Sequence, residues 1–384
     1  MTPRKEIAFL DLPRQRARLG EALTRRVDAV MEHCKFVLGP EVNELEERLA
    51  AYAGARHAIG VSSGTDALLA VLMGEGVGPG DAVFLPAFTY TATAEIVLLL
   101  GAIPVFVDVD ARTFQIDPSH LEARIAAILR EGQWRPRAII GVDLFGQPAP
   151  WDELKIIADR HELTLVDDCA QAFGGSYKGR KLGREARATT LSFFPSKPLG
   201  GYGDGGAILT DDDGLAALYR SLRSHGEGQN RYDVQRIGLN ARLDTLQAAV
   251  LLAKLDAFDA ELARRETIAR AYDAGLPEII QTPQRVAGAL SAWAIYSVLL
   301  PTKSLRDSLQ EWLKSHGIPS VVYYPKPLHR QPAYAGYHSN DITLPVSEKL
   351  GEIILSLPLH PELTDDEVRY IIDTTLEWSK ERKT

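Results

Sequence analysis

Cysteine is scarce: Cys34 and Cys169 are the only two in 384 residues. Two cysteines make no disulfide framework, suit a reducing compartment, and here show no metal-type spacing. No apolar run comes near the roughly 18 residues that a membrane span needs. The N-terminal MTPRKEIAFLDLPRQ lacks the apolar core of a signal peptide. We therefore expect a cytoplasmic protein with no membrane partner. The net charge is −8, and no basic run or arm accompanies it. That balance argues against nucleic acid as a partner. Internal repeats and low-complexity segments are absent too. What remains is ordinary globular composition, 45% hydrophobic, with material for a sizeable core. The length suggests one large domain and a smaller one.

Residues 17–33 and 40–53 have the spacing of amphipathic helices. From residue 56 strands and helices alternate. HAIGV (57–61), AVFLP (82–86), IPVFVDV (103–109), RAIIGVDLFG (137–146) and LTLVDD (163–168) read as strands with helices between them. Such alternation predicts an α/β domain with a mainly parallel sheet, and near-continuous apolar strands predict burial on both faces. Residues 243–275 read as one long helix bridging to a second domain. SAWAIYSVLL (291–300) reads as a strand, 304–317 as a helix, 321–337 as a Pro- and Tyr-rich loop, and 366–380 as a last helix. The boundary is placed near residue 255, giving a large domain at 1–255 and a small α+β domain at 256–384.

Ligands of parallel α/β sheets sit at the carboxyl ends of strands, so chemistry is sought there. The organising stretch is TTLSFFPSKPLGGYGDGG (189–206). Lys197 follows a β-rich run and precedes a glycine cluster. A lysine desolvated at such a place has a lowered pKa and can form a Schiff base with an aldehyde. A plain surface-turn lysine is the other reading. Gly201, Gly203 and Gly206 spell G-x-G-x-x-G, but a strand and not a helix follows them, so the dinucleotide fingerprint is rejected. These glycines are expected to adopt positive φ and to let the chain pass close to a bound group.

Two further strand ends carry polar groups. VSSGTDALL (61–69) offers amides and hydroxyls at a helix start, suited to a phosphate or to simple N-capping by Ser63 or Thr65. VDDCAQAFGG (166–175) ends a strand on Asp167 and Asp168, which must point to opposite faces. A carboxylate there can keep a heterocyclic nitrogen protonated. A metal is not expected, because no histidine or third acid lies nearby in the sequence. Arg223 and His225 either line the site's mouth or cap a helix. The acidic run at 211–213 reads as a helix N-cap, and Trp134, Trp293 and Trp312 as packing residues. A phosphate cup, a buried carboxylate and a Schiff-base lysine together describe a site for pyridoxal 5′-phosphate.

The motifs FVLGPEVNELEERLA (36–50), SSGTDAL (62–68), PAFTYTATAE (86–95), DDCAQAFGGSYKG (167–179), SFFPSKPLGGYGDGGA (192–207), GLNARLDTLQAA (238–249) and YYPKPLHRQPAY (323–334) resemble those of the DegT-type nucleotide-sugar aminotransferases. These are enzymes of the aspartate aminotransferase fold (fold type I). The resemblance runs from about Phe9 to the last helix. It implies a large pyridoxal-phosphate-dependent transferase domain, with a mainly parallel seven-stranded type of sheet between helices. It also implies roles. Lys197 matches the lysine that carries the cofactor, Asp168 the carboxylate on the pyridine nitrogen, and Gln171 a contact to the ring hydroxyl. Tyr90 matches the stacking aromatic, while Gly64, Thr65, Asp66 and Ser192 match the phosphate-binding groups. Asn240 matches an asparagine that reaches the phosphate from the neighbouring subunit of a homodimer. Arg242, Tyr323, Tyr324 and His329 stand where the family contacts the nucleotide-sugar. No metal is implied. Asp167 stands where many relatives have Glu, and Cys169 where Ala is common, as a small buried filler.

The implied reaction moves an amino group from glutamate to a keto group on a nucleotide-linked sugar, with Lys197 shuttling the proton in both halves. The related sugar dehydratases replace the lysine with histidine, which Lys197 argues against. A catalytically silent, cofactor-binding regulatory protein is the rival from another class, and the full set of site residues argues against that. The form GLNARLDTLQAAVLLAKL (238–255) resembles the 3-aminotransferases, most closely those acting on a UDP-linked 2-acetamido-3-keto-hexuronic acid, as in surface polysaccharide biosynthesis. There the arginine matching Arg242 faces the sugar carboxylate; support of a dimer interface is its other reading. A dTDP- or GDP-linked keto-deoxysugar, aminated at carbon 3 or 4, is the alternative substrate.

Overall fold

The computed structural model describes residues 7–230, 232–337 and 342–381. Helices α1 (Leu12–His33) and α2 (Pro40–Ala53) come first. Then β1 (His57–Val61), α3 (Gly64–Gly74), β2 (Asp81–Pro86), α4 (Ala92–Leu99), β3 (Ile103–Val107), α5 (Pro118–Glu131), β4 (Arg135–Val142), α6 (Trp151–Arg160) and β5 (Thr164–Asp168) alternate, as their periodicity predicts. A small hairpin, β6 (Ser176–Tyr177) and β7 (Arg180–Lys181), precedes β8 (Ala188–Ser192) and β9 (Gly206–Thr210). Helices α7 (Asp213–Leu222), α8 (Thr245–Leu255) and α9 (Phe258–Gly275) lead to β10 (Ala289–Leu290), β11 (Tyr296–Leu299), α10 (Lys303–Ser315), α11 (Pro345–Ile353), β12 (Ile354–Leu357) and α12 (Asp365–Lys380).

The main sheet has seven strands in the order β1-β9-β8-β5-β4-β2-β3. Only β9 runs against the others. Its residues alternate between two apolar cores, as a period of two requires. Phe84, Ile139 and Leu191 pack with α2, α5, α6 and α8 on one face. Val83, Ile140 and Val166 pack with α3, α4 and α7 on the other. Strands β2 and β3 are buried along their whole length, as expected for a sheet covered on both sides. Among the described residues no helix is long and apolar enough to cross a membrane.

Three expectations change. The long helix expected at 243–275 is two helices broken at Asp256–Ala257. The break lets α8 bury into the sheet's core while α9 turns its Ile268, Ala269 and Tyr272 to a separate core. SAWAIYSVLL is strand only at Tyr296–Leu299, because Trp293 takes a positive φ of 46° and Ala292 bonds to Gly146 instead. Helix α11 and strand β12 went unforeseen, being only nine and four residues long and joined without a break. We propose to keep the domain division near residue 255. The separate core gathers residues from Ile268 onward, although Ile7 joins it from the N-terminal side.

Candidate active site

A cavity of about 620 Å³ opens where the carboxyl ends of β1, β5 and β8 meet the C-terminal part of the chain. Lys197, Asp168 and the start of α3 share its wall.

The β1–α3 junction is built for close approach. A Cβ on Gly64 would lie 2.7 Å from Ser192 Cβ, and one on Gly206 would lie 2.5 Å from the Ser63 carbonyl carbon. Glycine is therefore required at both positions. Ser63 is the N-cap of α3, accepting from the Asp66 amide at 3.0 Å. The amides of Gly64 and Thr65 have no acceptor within the helix. Both residues line the cavity together with Ser192, a set of donors suited to an anion. Asp66 stands apart from the cavity lining. Its amide is committed to Ser63, and its carboxylate accepts from Ser62 and Ser63 at 2.5 and 3.0 Å. These bonds shape the turn at the start of α3.

Asp167 and Asp168 diverge as the strand geometry demands. Asp168 reaches the cavity, where Oδ2 accepts from the Thr93 hydroxyl at 2.9 Å and Oδ1 from the Ala170 amide at 3.2 Å. Burial holds its carboxyl above the usual carboxylate range, while the Thr93 bond and the Lys197 charge pull it back. Thr93 itself is buried, and the sequence reading missed it. Its signal was available: a hydroxyl in the first turn of a helix, directly after a strand end, inside PAFTYTATAE.

Lys197 lies in the loop between β8 and β9. Its amine is desolvated, which holds it below the usual ammonium range against the pull of Asp168. The loop is stapled by Lys197 N–H to Phe194 O at 2.8 Å and by Gly201 N–H to Phe193 O at 2.7 Å. From α8, Gln247 accepts from the Tyr202 amide at 2.8 Å, and Lys254 donates to Gly200 O at 2.5 Å. None of the glycines from 200 to 206 has positive φ. They are needed for contact instead: a Cβ on Gly200 would lie 2.6 Å from the Pro195 carbonyl oxygen.

Gln171 lines the cavity, accepting from the Phe145 amide at 3.0 Å and donating to Tyr324 OH at 3.3 Å. Tyr324 stacks on Phe145, and Tyr90 stands exposed at the mouth. Tyr323 also lines the cavity, with Phe9 edge-on to its ring at 6.3 Å. Asn240 and Arg242 lie outside this lining, on a segment that runs beside β1 through an Ala241–Ser62 backbone bond of 3.2 Å. His329 also lies outside it. The ring is buried, with Nε2 3.0 Å from Glu348 Oε1. Arg223 is absent from the cavity lining and stands as the C-cap of α7, one of its two expected roles. It is buried in an ion pair with Glu46 and donates to Gly60 O at 2.8 Å. Asp212 caps α7, as read from the acidic run. Asp143, from just beyond β4, joins Asp167 and Cys169 in a buried group that spacing along the sequence did not show.

The Gly64 cradle, too tight for any side chain, the buried Asp168 and the desolvated Lys197 fit pyridoxal 5′-phosphate in three separate respects. Bound there, the cofactor supplies an aldehyde for the lysine and an electron sink for the substrate's α-carbon. Residues 17–376 match the model of the DegT/DnrJ/EryC1/StrS aminotransferase family. The chain is 46% identical over 366 residues to the UDP-2-acetamido-2-deoxy-3-oxo-D-glucuronate aminotransferase of Pseudomonas aeruginosa, covering 95% of this chain and 98% of that one. A DegT DnrJ EryC1 StrS aminotransferase from Brucella abortus superposes with a TM-score of 0.94 at 46% identity, over 97% of this chain and 99% of that one. NtdA from Bacillus subtilis, solved with bound cofactor PMP, superposes with a TM-score of 0.87 at 29% identity, over 99% and 87%. The chain belongs to this family; it is a pyridoxal-phosphate-dependent aminotransferase of nucleotide-linked sugars.

Proposed function

We propose that this member of the DegT/DnrJ/EryC1/StrS aminotransferase family takes an amino group from glutamate and delivers it to the 3-keto carbon of a UDP-2-acetamido-3-keto-hexuronic acid. Surface polysaccharide or glycoconjugate synthesis is the use we infer for the product. The end-to-end likeness to the Pseudomonas enzyme carries the choice of substrate. Lys197 holds the cofactor and moves the proton at the reacting carbon. Asp168 keeps the ring nitrogen charged, Gln171 meets the ring hydroxyl and Tyr90 covers the ring face. Gly64, Thr65 and Ser192 hold the phosphate.

Asn240 and Arg242 serve the site of a second copy in a C2 homodimer. Their place beside β1 but outside this chain's cavity supports that reading. So do the exposed apolar side chains of Phe36, Val37, Leu38 and Ile237. Arg242 grips the hexuronate carboxylate through two parallel hydrogen bonds, fixing ring orientation as well as charge. Tyr323 and Tyr324 wall the sugar.

The test is to mix the pyridoxamine form with a panel of 3-keto and 4-keto nucleotide-sugars and follow the return of the cofactor's visible absorbance. A 3-keto uronate should react fastest. Arg242→Lys should raise its KM strongly and that of a neutral 3-keto hexose little. Equal losses on both would assign Arg242 to the interface, and a preference for 4-keto sugars would overturn the regiochemistry.

A further inference from the structure

The site uses one of two adjacent aspartates. The other, Asp167, is wholly buried on the opposite face of β5, and Asp143 comes to it from just beyond β4. One oxygen of Asp143, one of Asp167 and Sγ of Cys169 all lie within 4.8 Å of one another. Each carboxyl has one oxygen held. Asp143 Oδ1 accepts from the Ala149 amide at 2.7 Å and the Trp151 indole at 3.0 Å. Asp167 Oδ2 accepts from the Thr189 hydroxyl at 3.0 Å. The remaining oxygens, Asp143 Oδ2 and Asp167 Oδ1, are buried and meet no protein donor.

Two ionised carboxylates cannot stand together in such a place, because like charges in low dielectric repel and each bare acceptor is left unpaired. The charges nearby make matters worse: Asp168 and Glu185 both add negative potential at Asp167. The nearest cation on Glu185 is Lys155, bonded to Glu185 at 2.8 Å. A single proton removes both faults at once. It turns one of the two unpaired acceptors into a donor, and it lowers the charge of the pair by one.

We infer that Asp143 and Asp167 share one proton between Asp143 Oδ2 and Asp167 Oδ1, and that this bond ties the end of β4 to the end of β5 beneath the cofactor site. Thr189 extends the tie to β8, the strand that leads to Lys197. The pair acts through its neighbours: by fixing the last residues of β5 it aims Asp168 into the cavity. Asp143 and Asp167 are positioning residues. Burial above all pushes both carboxyls up, Asp143 to about 8 with Glu185 adding to it, and Asp167 well above the usual carboxylate range with the Asp143 charge adding to it.

The proton has a measurable signature. In the unfolded chain both carboxyls ionise near pH 4, whereas the folded pair keeps a proton to far higher pH, so folding takes one up in between. Stability from this pair is therefore fully present at low pH and is lost as pH rises. Asp143→Asn and Asp167→Asn place a fixed donor where the proton stands. For the holoenzyme, the folding constant of each variant relative to wild type should rise up to about tenfold per pH unit between roughly pH 5 and 8. The carboxylic-acid stretch of the wild type in difference infrared spectra, which moves in deuterium oxide, should vanish in both. Asp167→Leu removes the tie and should shift the pH at which the bound cofactor's absorbance titrates, while Asp167→Asn should restore it. Parallel stability curves, a band retained in both asparagine variants, or one divalent metal per chain in dialysed wild-type protein would each overturn the inference. Should neither variant fold, aspartate-labelled wild-type holoenzyme decides: an acid band at neutral pH supports the shared proton, and none overturns it.

Discussion

Thr93→Val removes one hydroxyl and almost no volume. Thr93 is 1% exposed, so no solvent reaches the place its oxygen leaves. What is lost is the 2.9 Å bond to Asp168 Oδ2, which leaves the Ala170 amide at 3.2 Å as the carboxylate's donor. A hydrogen bond to a charged group contributes about 1.5–3 kcal/mol. That equals about one to two pH units in the Asp168 pKa, with the shift upward because the bond favours the ionised form. Burial already pushes this group up, so the ionised carboxylate becomes harder to keep. Affinity for pyridoxal 5′-phosphate and the rate of the amino-donor half-reaction should both fall by about 10- to 100-fold. The melting temperature of the cofactor-free protein should change little. The assays are a titration of cofactor-free protein with pyridoxal 5′-phosphate and single-turnover absorbance changes with glutamate. Thr93→Ser, which keeps the hydroxyl, should recover most of the loss. A valine variant equal to wild type, or a serine variant no better than valine, would refute the reasoning.

Lys197→Ala should abolish transamination and the lysine-bound cofactor absorbance while leaving the far-UV circular dichroism intact, since the side chain anchors a ligand and no core; normal turnover would remove it from the mechanism. Glu367 caps α12 and accepts from Arg14 of α1, which together hold its carboxyl down at about 2. Its stabilisation is present above the unfolded value near 4.5 and is lost as pH falls toward about 2. Glu367→Gln should therefore cost about 2 kcal/mol at neutral pH, allowing for the partly exposed Arg14, and much less near pH 3 by urea unfolding. Sedimentation at working concentration should show at least a dimer, and Asn240→Ala should weaken cofactor binding without dissociating it; a fully active monomer would end the shared-site proposal.

The alternation of apolar runs and the positions of Gly, Ser and Asp at strand ends were enough to place the sheet, the glycine turn at the start of α3 and the lysine loop. These are local properties: period, capping chemistry and the cost of a lysine next to apolar strands act within a dozen residues. A strand's alternation showed that only one of Asp167 and Asp168 can face the site, and the family resemblance picked Asp168. Contacts across the fold were not legible. Nothing near Asp168 in the chain announces Thr93, 75 residues away, nor near Asp167 announces Asp143, which reaches it only because β4 and β5 lie side by side. His329 looked available in a Tyr-rich loop until packing against Phe106 and the bond to Glu348 buried it. The glycines after Lys197 looked like turn formers and proved to be clearance for the backbone, a demand set by α8 and by neighbouring carbonyls. The sequence by itself determined which elements form and which residue types stand at their ends, since those follow from short-range periodicity and propensity. The tertiary structure decided which of those ends meet, which polar groups lose water and which proton must stay, because desolvation and pairing depend on neighbours that only the folded chain brings together.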